Sequence, residues 1–201
     1  MYLYLFCFLA FCLGSIPTGY LAVKMLKGVD IRDYGSGNVG ATNAMRVLGR
    51  GPGYAVFAID FLKGAVPVWL FKSIPAGQFA DSTTVLLLGL CALLGHVFSP
   101  FLRFKGGKGV ATGAGVLAAG FPVLFLITMA AWTVAFLGTK IVSVSSLGSV
   151  LALVIASIVL GYHAKTVAVF SAVAGFIFWT HRSNIARLMK GEEGKPVNKQ
   201  N

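Results

Sequence analysis

Long apolar runs alternate along the chain with short, polar and mostly basic segments. The runs cover residues 1–23, 54–71, 83–102, 110–138, 141–162 and 166–180. A helix needs about 20 apolar residues to cross a hydrocarbon core of about 30 Å, so these runs are read as membrane spans. In the first, the cations Lys24 and Lys27 follow the apolar stretch. That is the reverse of a secretory leader, and it predicts a retained helix with its N-terminus outside. The fourth run is 29 residues long and is interrupted by Gly120-Phe121-Pro122. Proline breaks the hydrogen-bond ladder and turns the residue before it away from helical backbone. A short helix over 109–119, followed by a full helix to Gly138, is therefore expected. The reading is an all-α integral membrane protein with seven transmembrane helices, five being the alternative, and residues 1–201 form one polytopic domain.

Composition agrees. Of the 201 residues, 57% are hydrophobic and 11% charged, against about 25% charged in ordinary soluble domains. A soluble cytosolic enzyme, a nucleic-acid-binding domain and a disordered tail are all excluded. The net charge of +11 acquires meaning once the spans are drawn. With the N-terminus outside, 14 of the 17 Lys and Arg residues fall on inner segments, leaving Lys72 and Lys165 outside and Lys63 within a span. Such asymmetry places the basic side and the C-terminus in the cytoplasm. Cys7, Cys12 and Cys91 all lie in apolar runs, so neither a disulfide framework nor a metal motif is readable.

Three polar motifs fall on the predicted inner side. The first, residues 35–46, reads GSGNVGATNAMR. Its glycines let backbone N–H groups turn toward an anion. A short helix is expected over 41–48, ending near Gly49, with Thr42 and Arg46 on one face and Asn43 beside Arg46. Hydroxyl, amide and guanidinium suit a phosphate; a Gly/Asn-rich connecting loop is the plainer alternative. The second motif, residues 104–112, reads FKGGKGVAT and sits at the start of the short helix, where N–H groups attract anions. Gly109 follows Lys108 where a Walker A motif demands Ser or Thr. Simple membrane anchoring would also explain Lys108. The third, residues 181–188, reads HRSNIARL; on a continuing helix, His181, Asn184 and Arg187 step along one face. A basic headgroup anchor accounts for Lys195 and Lys199 but not for Asn184.

Asp60 and Lys63 lie three apart inside an apolar span, either as a functional site or as a self-satisfied ion pair. Ser143, Ser145 and Ser146 follow Lys140 at an inner helix entrance, where capping accounts for one hydroxyl. His163 is expected in an outer turn. His96, in Gly95-His96-Val97-Phe98, is either a packed residue or part of a site.

Together these motifs resemble the bacterial membrane glycerol-3-phosphate acyltransferases that use acyl phosphate. The family segment SGNxGxTNxxR corresponds to residues 36–46, GHxF…FKGGKGVAT to 95–112 and HRxNIxRLxxGxE to 181–193. The DxxKG of 60–64 and the VSxSS of 142–146 extend the likeness over essentially the whole chain. The resemblance implies acyl transfer from acyl phosphate to the 1-hydroxyl of sn-glycerol 3-phosphate, giving lysophosphatidic acid and phosphate at the cytoplasmic face of the inner membrane. Seven transmembrane helices are implied as well. The expected partners are the two substrates and membrane lipids, with no nucleic acid, and the chain is expected to be a monomer without cofactor or metal.

The residues fit that chemistry. Two substrate phosphates bring up to four negative charges, which Arg46, Lys105, Lys108 and Arg187 offset. Ser36, Gly37, Asn38, Gly40, Thr42, Asn43, Gly106, Gly107, Ser143 and Asn184 supply further contacts. At an effective dielectric of about 20, one charge pair at 4 Å is worth about 4 kcal/mol before desolvation. Acyl phosphate is already activated, so no acyl-enzyme is required. A phosphate oxygen is the favoured acceptor of the hydroxyl proton, with His181 or His96 as the alternative catalytic base.

Overall fold

Ten α-helices carry the computed structural model, which describes residues 2–77 and 80–193; no strand occurs among the described residues. The first apolar run is expected as one helix but forms two, α1 (Tyr2–Ser15) and α2 (Thr18–Lys27). The cause is Pro17, which offers no N–H and disfavours helical backbone at Ile16. The carbonyls exposed by the break find side-chain donors, Ser99 Oγ for Ser15 and Lys63 Nζ for Ile16. A broken helix within an apolar layer requires such repair.

A 3₁₀ turn at Ile31–Asp33 leads to α3 (Ala41–Leu48), bounded by Gly40 and Gly49 as the spacing predicts. The long helix α4 (Arg50–Ser73) follows. Asp81 caps the next helix, α5 (Ser82–Val97), by accepting from the Thr84 amide at 2.8 Å. After a 3₁₀ turn at Pro100–Leu102 come α6 (Val110–Gly120) and α7 (Pro122–Thr139), broken where the sequence predicts. The chain continues through α8 (Val142–Val159), α9 (Ala164–Thr180) and α10 (Arg182–Met189). The expectation that the last span continues straight through the third motif needs correction, because α9 and α10 meet at 60°. At the bend, Nδ1 of His181 shares the Ile177 carbonyl with its own backbone amide, so a side chain intrudes on the helical ladder.

Five stretches are long and apolar enough to cross a membrane: Tyr2–Lys27 counted through its break, α4, Ser82–Leu102, α7 and α8. The bent α9–α10 pair makes a sixth if taken as one span, and α6 is shorter.

The chain divides into two compact units, the first running to Ala119 and the second beginning at Gly120. In the first, α1 packs on α4 and α5, and α3 packs on α2 and α4. Helix α6 lies close against α4: a Cβ on Gly115 would stand 1.9 Å from the Phe61 carbonyl oxygen, and one on Gly64 1.9 Å from that of Thr112. Small residues make such close approach of two backbones possible. Near the polar loops, Val23, Ile31, Val39, Ala44, Val56 and Leu102 form a shared apolar core. In the second unit, α8 packs against α7 and α9, and Phe121 meets Tyr162 and Phe170 edge-on.

Candidate active site

The first motif is shaped by Asn43, which projects from α3 into the loop before it. Only 1% of this residue is exposed. Its Nδ2 donates to the carbonyls of Tyr34 and Asn38, each at 2.9 Å, and lies 3.3 Å from that of Ile31; its Oδ1 accepts from the Ser36 amide at 3.0 Å. Every polar atom of the amide is therefore given to the fold, so Asn43, read from sequence as a substrate contact, is placed as the loop's internal fastener. Asn38 makes a smaller turn of the same kind, accepting from the Gly40 amide at 2.8 Å. Gly35 and Gly37 have φ of +56° and +72°, backbone that side-chain-bearing residues seldom adopt. Thr42 is half-buried on α3, and one turn on Arg46 is exposed with no carboxylate partner among the described residues. Lys27 supports the far end of the helix by donating to the Val47 carbonyl.

The second motif begins in strained backbone. Arg103 and Phe104 have φ of +53° and +61°, at a cost of about 1–3 kcal/mol for each such residue. Hydrogen bonds from the Phe104 amide to the Ser99 carbonyl and from the Lys105 amide to that of Leu102 hold the turn. Lys105 emerges exposed and Lys108 half-buried. Between them, the Gly106 and Gly107 amides donate to the carbonyls of Val97 at 2.9 Å and His96 at 3.1 Å. These two amides are satisfied by the end of α5.

Below this loop are the intramembrane charges. Asp60 and Lys63 are 2% and 3% exposed, and Lys63 Nζ donates to Asp60 Oδ1 at 2.6 Å. His96 is also buried, its Nδ1 3.9 Å from the same carboxylate oxygen. Asp60 and Lys63 thus form the self-satisfied pair, one of the two readings their spacing allows.

The second unit gathers the third motif around Glu193. Its Oε1 accepts from Asn184 Nδ2 at 2.6 Å and from Ser143 Oγ at 2.9 Å, and its Oε2 accepts from Arg187 Nε at 2.7 Å. Burial pushes the carboxyl upward, but the bonds from Asn184, Arg187 and Ser143 outweigh it and hold Glu193 below the usual carboxylate range. Because Arg187 is paired with this carboxylate, its charge is already opposed internally. Ser145 and Ser146 donate to the carbonyls of Ile141 and Val142 one turn back, and Ser146 also accepts from Trp132 of α7, so of the three Ser143 is the one that reaches the third motif. His181 is buried, with Nδ1 2.8 Å from the Ile177 carbonyl. A carbonyl can only accept, so Nδ1 is the donor in that contact. His163 caps α9, accepting from the Lys165 amide.

Glu193 is the residue that site reasoning from composition and spacing leaves out. Its signal is the end of the third motif, GxE, whose glutamate lies four residues beyond Met189, the last apolar position of α10. Lys195 and Lys199, read as headgroup anchors, lie outside the described residues.

The family model for glycerol-3-phosphate acyltransferase matches residues 4–191. A glycerol-3-phosphate acyltransferase of Staphylococcus carnosus is 42% identical over 199 residues, covering 97% of this chain and 98% of that protein. One from Gloeobacter violaceus is 42% identical over 183 residues, covering 90% and 89%. Among solved structures, the chain is similar to the integral membrane glycerol 3-phosphate acyltransferase PlsY (YgiH) in its glycerol 3-phosphate form. The TM-score is 0.87 at 37% identity, over 96% of this chain and 94% of that one. The lysophosphatidic acid form of the same protein gives 0.84 at 36% identity, with the same coverage. An all-helical chain with apolar spans, and polar loops folded by the motif residues, therefore belongs to the glycerol-3-phosphate acyltransferase family.

Proposed function

We propose that this chain moves a fatty acyl group from acyl phosphate to the 1-hydroxyl of sn-glycerol 3-phosphate, releasing 1-acyl-sn-glycerol 3-phosphate and inorganic phosphate. The glycerol oxygen attacks the acyl carbonyl carbon, and the bond from that carbon to the phosphate oxygen breaks. The hydroxyl proton passes to a phosphate oxygen, so no acyl-enzyme forms. Arg46 and Lys105 bind the phosphates and offset the charge that grows on the departing group. Ser36, Gly37, Asn38, Gly40, Thr42 and Lys108 complete the contacts offered by the first unit. Asn43 shapes the loop that presents them.

From the second unit, Ser143, Asn184 and Arg187 serve the reaction, held in place by Glu193. His181 is the alternative proton acceptor through Nε2. His96 packs against Gly107. The whole chain, both units included, acts as one acyltransferase domain and works as a monomer.

The observation that carries this reading is the exposure of Arg46 and Lys105 beside glycine-shaped turns. Neither has a carboxylate partner among the described residues, so each keeps its charge for an incoming anion. The relative crystallised with glycerol 3-phosphate and with lysophosphatidic acid supports the acceptor and the product. The charge asymmetry supports seven spans, with α6 and α9 counted among them, in the bacterial inner membrane. The N-terminus then lies outside, and the C-terminus and the active site face the cytoplasm.

The test is incubation of purified protein with labelled glycerol 3-phosphate and either palmitoyl phosphate or palmitoyl-CoA. Labelled lysophosphatidic acid is expected with palmitoyl phosphate alone. Product formed only from the thioester overturns the choice of donor, and no product from either overturns the activity.

A further inference from the structure

We propose that the buried Asp60–Lys63 pair, together with His96, is a positioning device for the basic glycine segment 105–112, holding it at both ends. The inference rests on the phosphate-binding role given to that segment above. At one end, the Gly107 amide donates to the His96 carbonyl at 3.1 Å, and the Gly106 amide to that of Val97 at 2.9 Å. At the other, Thr112 in the first turn of α6 donates through Oγ1 to the Asp60 carbonyl at 3.0 Å. Lys108 and Gly109 lie between these anchors. Lys63 ties the same point to the end of α1 through the Ile16 carbonyl, so α1, α4, α5 and α6 meet at one buried charge pair.

The imidazole links the pair to the loop. It lies against Gly107, where a Cβ would stand 2.1 Å from His96 Nε2. It also borders a narrow recess lined by Thr18, Asp60, Ser99 and Gly107. Thr18 Oγ1, buried there, has no hydrogen-bond partner among the described residues. The Asp60 carboxylate 3.9 Å from Nδ1, beyond hydrogen-bond length but within electrostatic reach, biases its orientation. A turn of the ring shifts Gly106 and Gly107 and, with them, the two lysines. His96 is thus a positioning residue that acts through the loop.

The experiment measures initial rates with glycerol 3-phosphate and palmitoyl phosphate for wild type and four variants, with thermal unfolding as a check on folding. His96→Asn is expected to keep kcat within about threefold while raising KM for one phosphorylated substrate at least about fivefold. Asp60→Asn combined with Lys63→Met, which leaves no lone buried charge, raises the same KM. Gly107→Ala lowers kcat/KM at least about tenfold, and adding His96→Ala, which makes room for the new methyl group, restores at least about threefold of that loss. A His96→Asn loss confined to kcat, with no rescue of Gly107→Ala, overturns the proposal by placing the ring on the reacting atoms. Unchanged KM in both His96→Asn and the paired variant overturns it as well. Inactive wild-type protein removes the acyltransferase reading itself, a different failure from an active wild type whose variants do not divide this way.

Discussion

Lys63 of α4 donates to the Ile16 carbonyl while paired to Asp60, so one ammonium both closes a broken helix end and neutralises a buried carboxylate. Removing it leaves two acceptors without their donor. Lys63→Met alone is expected to destabilise the protein by about 3–5 kcal/mol, the usual cost of breaking a buried pair from one side. The combined change with Asp60→Asn costs less. Thermal unfolding of the two variants in one detergent gives the comparison, and equal midpoints contradict the pairing.

Arg46→Ala and Lys105→Ala are each expected to lower kcat/KM by at least about tenfold, since each removes a charge aimed at phosphate. Arg46→Lys should recover only part of the loss, because an ammonium cannot reproduce the planar two-point grip of a guanidinium. Steady-state kinetics on folded variants decides this; near-normal turnover refutes the assignment.

Glu193 introduces a pH dependence whose sign is fixed. Its carboxyl is held below the usual range. Its contribution to stability is therefore complete above the unfolded value, about 4.3 for glutamate, and is lost as pH falls through the lower folded value. Wild type should exceed Glu193→Gln in unfolding midpoint at neutral pH, and the two should converge as pH falls further and further below the unfolded value. Parallel curves across the whole range exclude the carboxylate as the source.

The seven-span reading places residues 72 and 165 outside and residue 140 inside. Single reporter cysteines at these positions, in a chain whose Cys7, Cys12 and Cys91 have been replaced, should react with an impermeant thiol reagent in whole cells only at 72 and 165. Labelling at 140 requires another topology.

Local chemistry made much of the fold readable. Gly40 and Gly49 bracket α3, and Gly120-Phe121-Pro122 separates α6 from α7, because these signals act over a few residues. Pro17 carried the same kind of signal within an otherwise uniform apolar run, where hydropathy alone favours one helix. The bend at His181 has no proline or glycine to announce it; it arises from a side chain meeting a carbonyl four residues back. Arg46 and Lys105 were legible as cations beside glycine turns. The duty of Asn43 was not, since a surface amide and a buried one are written alike until the loop folds around it. The Glu193 cluster was hidden for a similar reason: Ser143 lies fifty residues away in the chain, and spacing cannot report so distant a meeting.

Asn43 carries a consequence for binding kinetics. The turns before α3 are already locked by hydrogen bonds to a single buried amide, so on the proposed function an arriving anion meets a finished shape. Little of its interaction energy goes into ordering the chain. Recognition at this loop therefore approaches rigid docking, with a fast encounter and an affinity set by the contacts themselves.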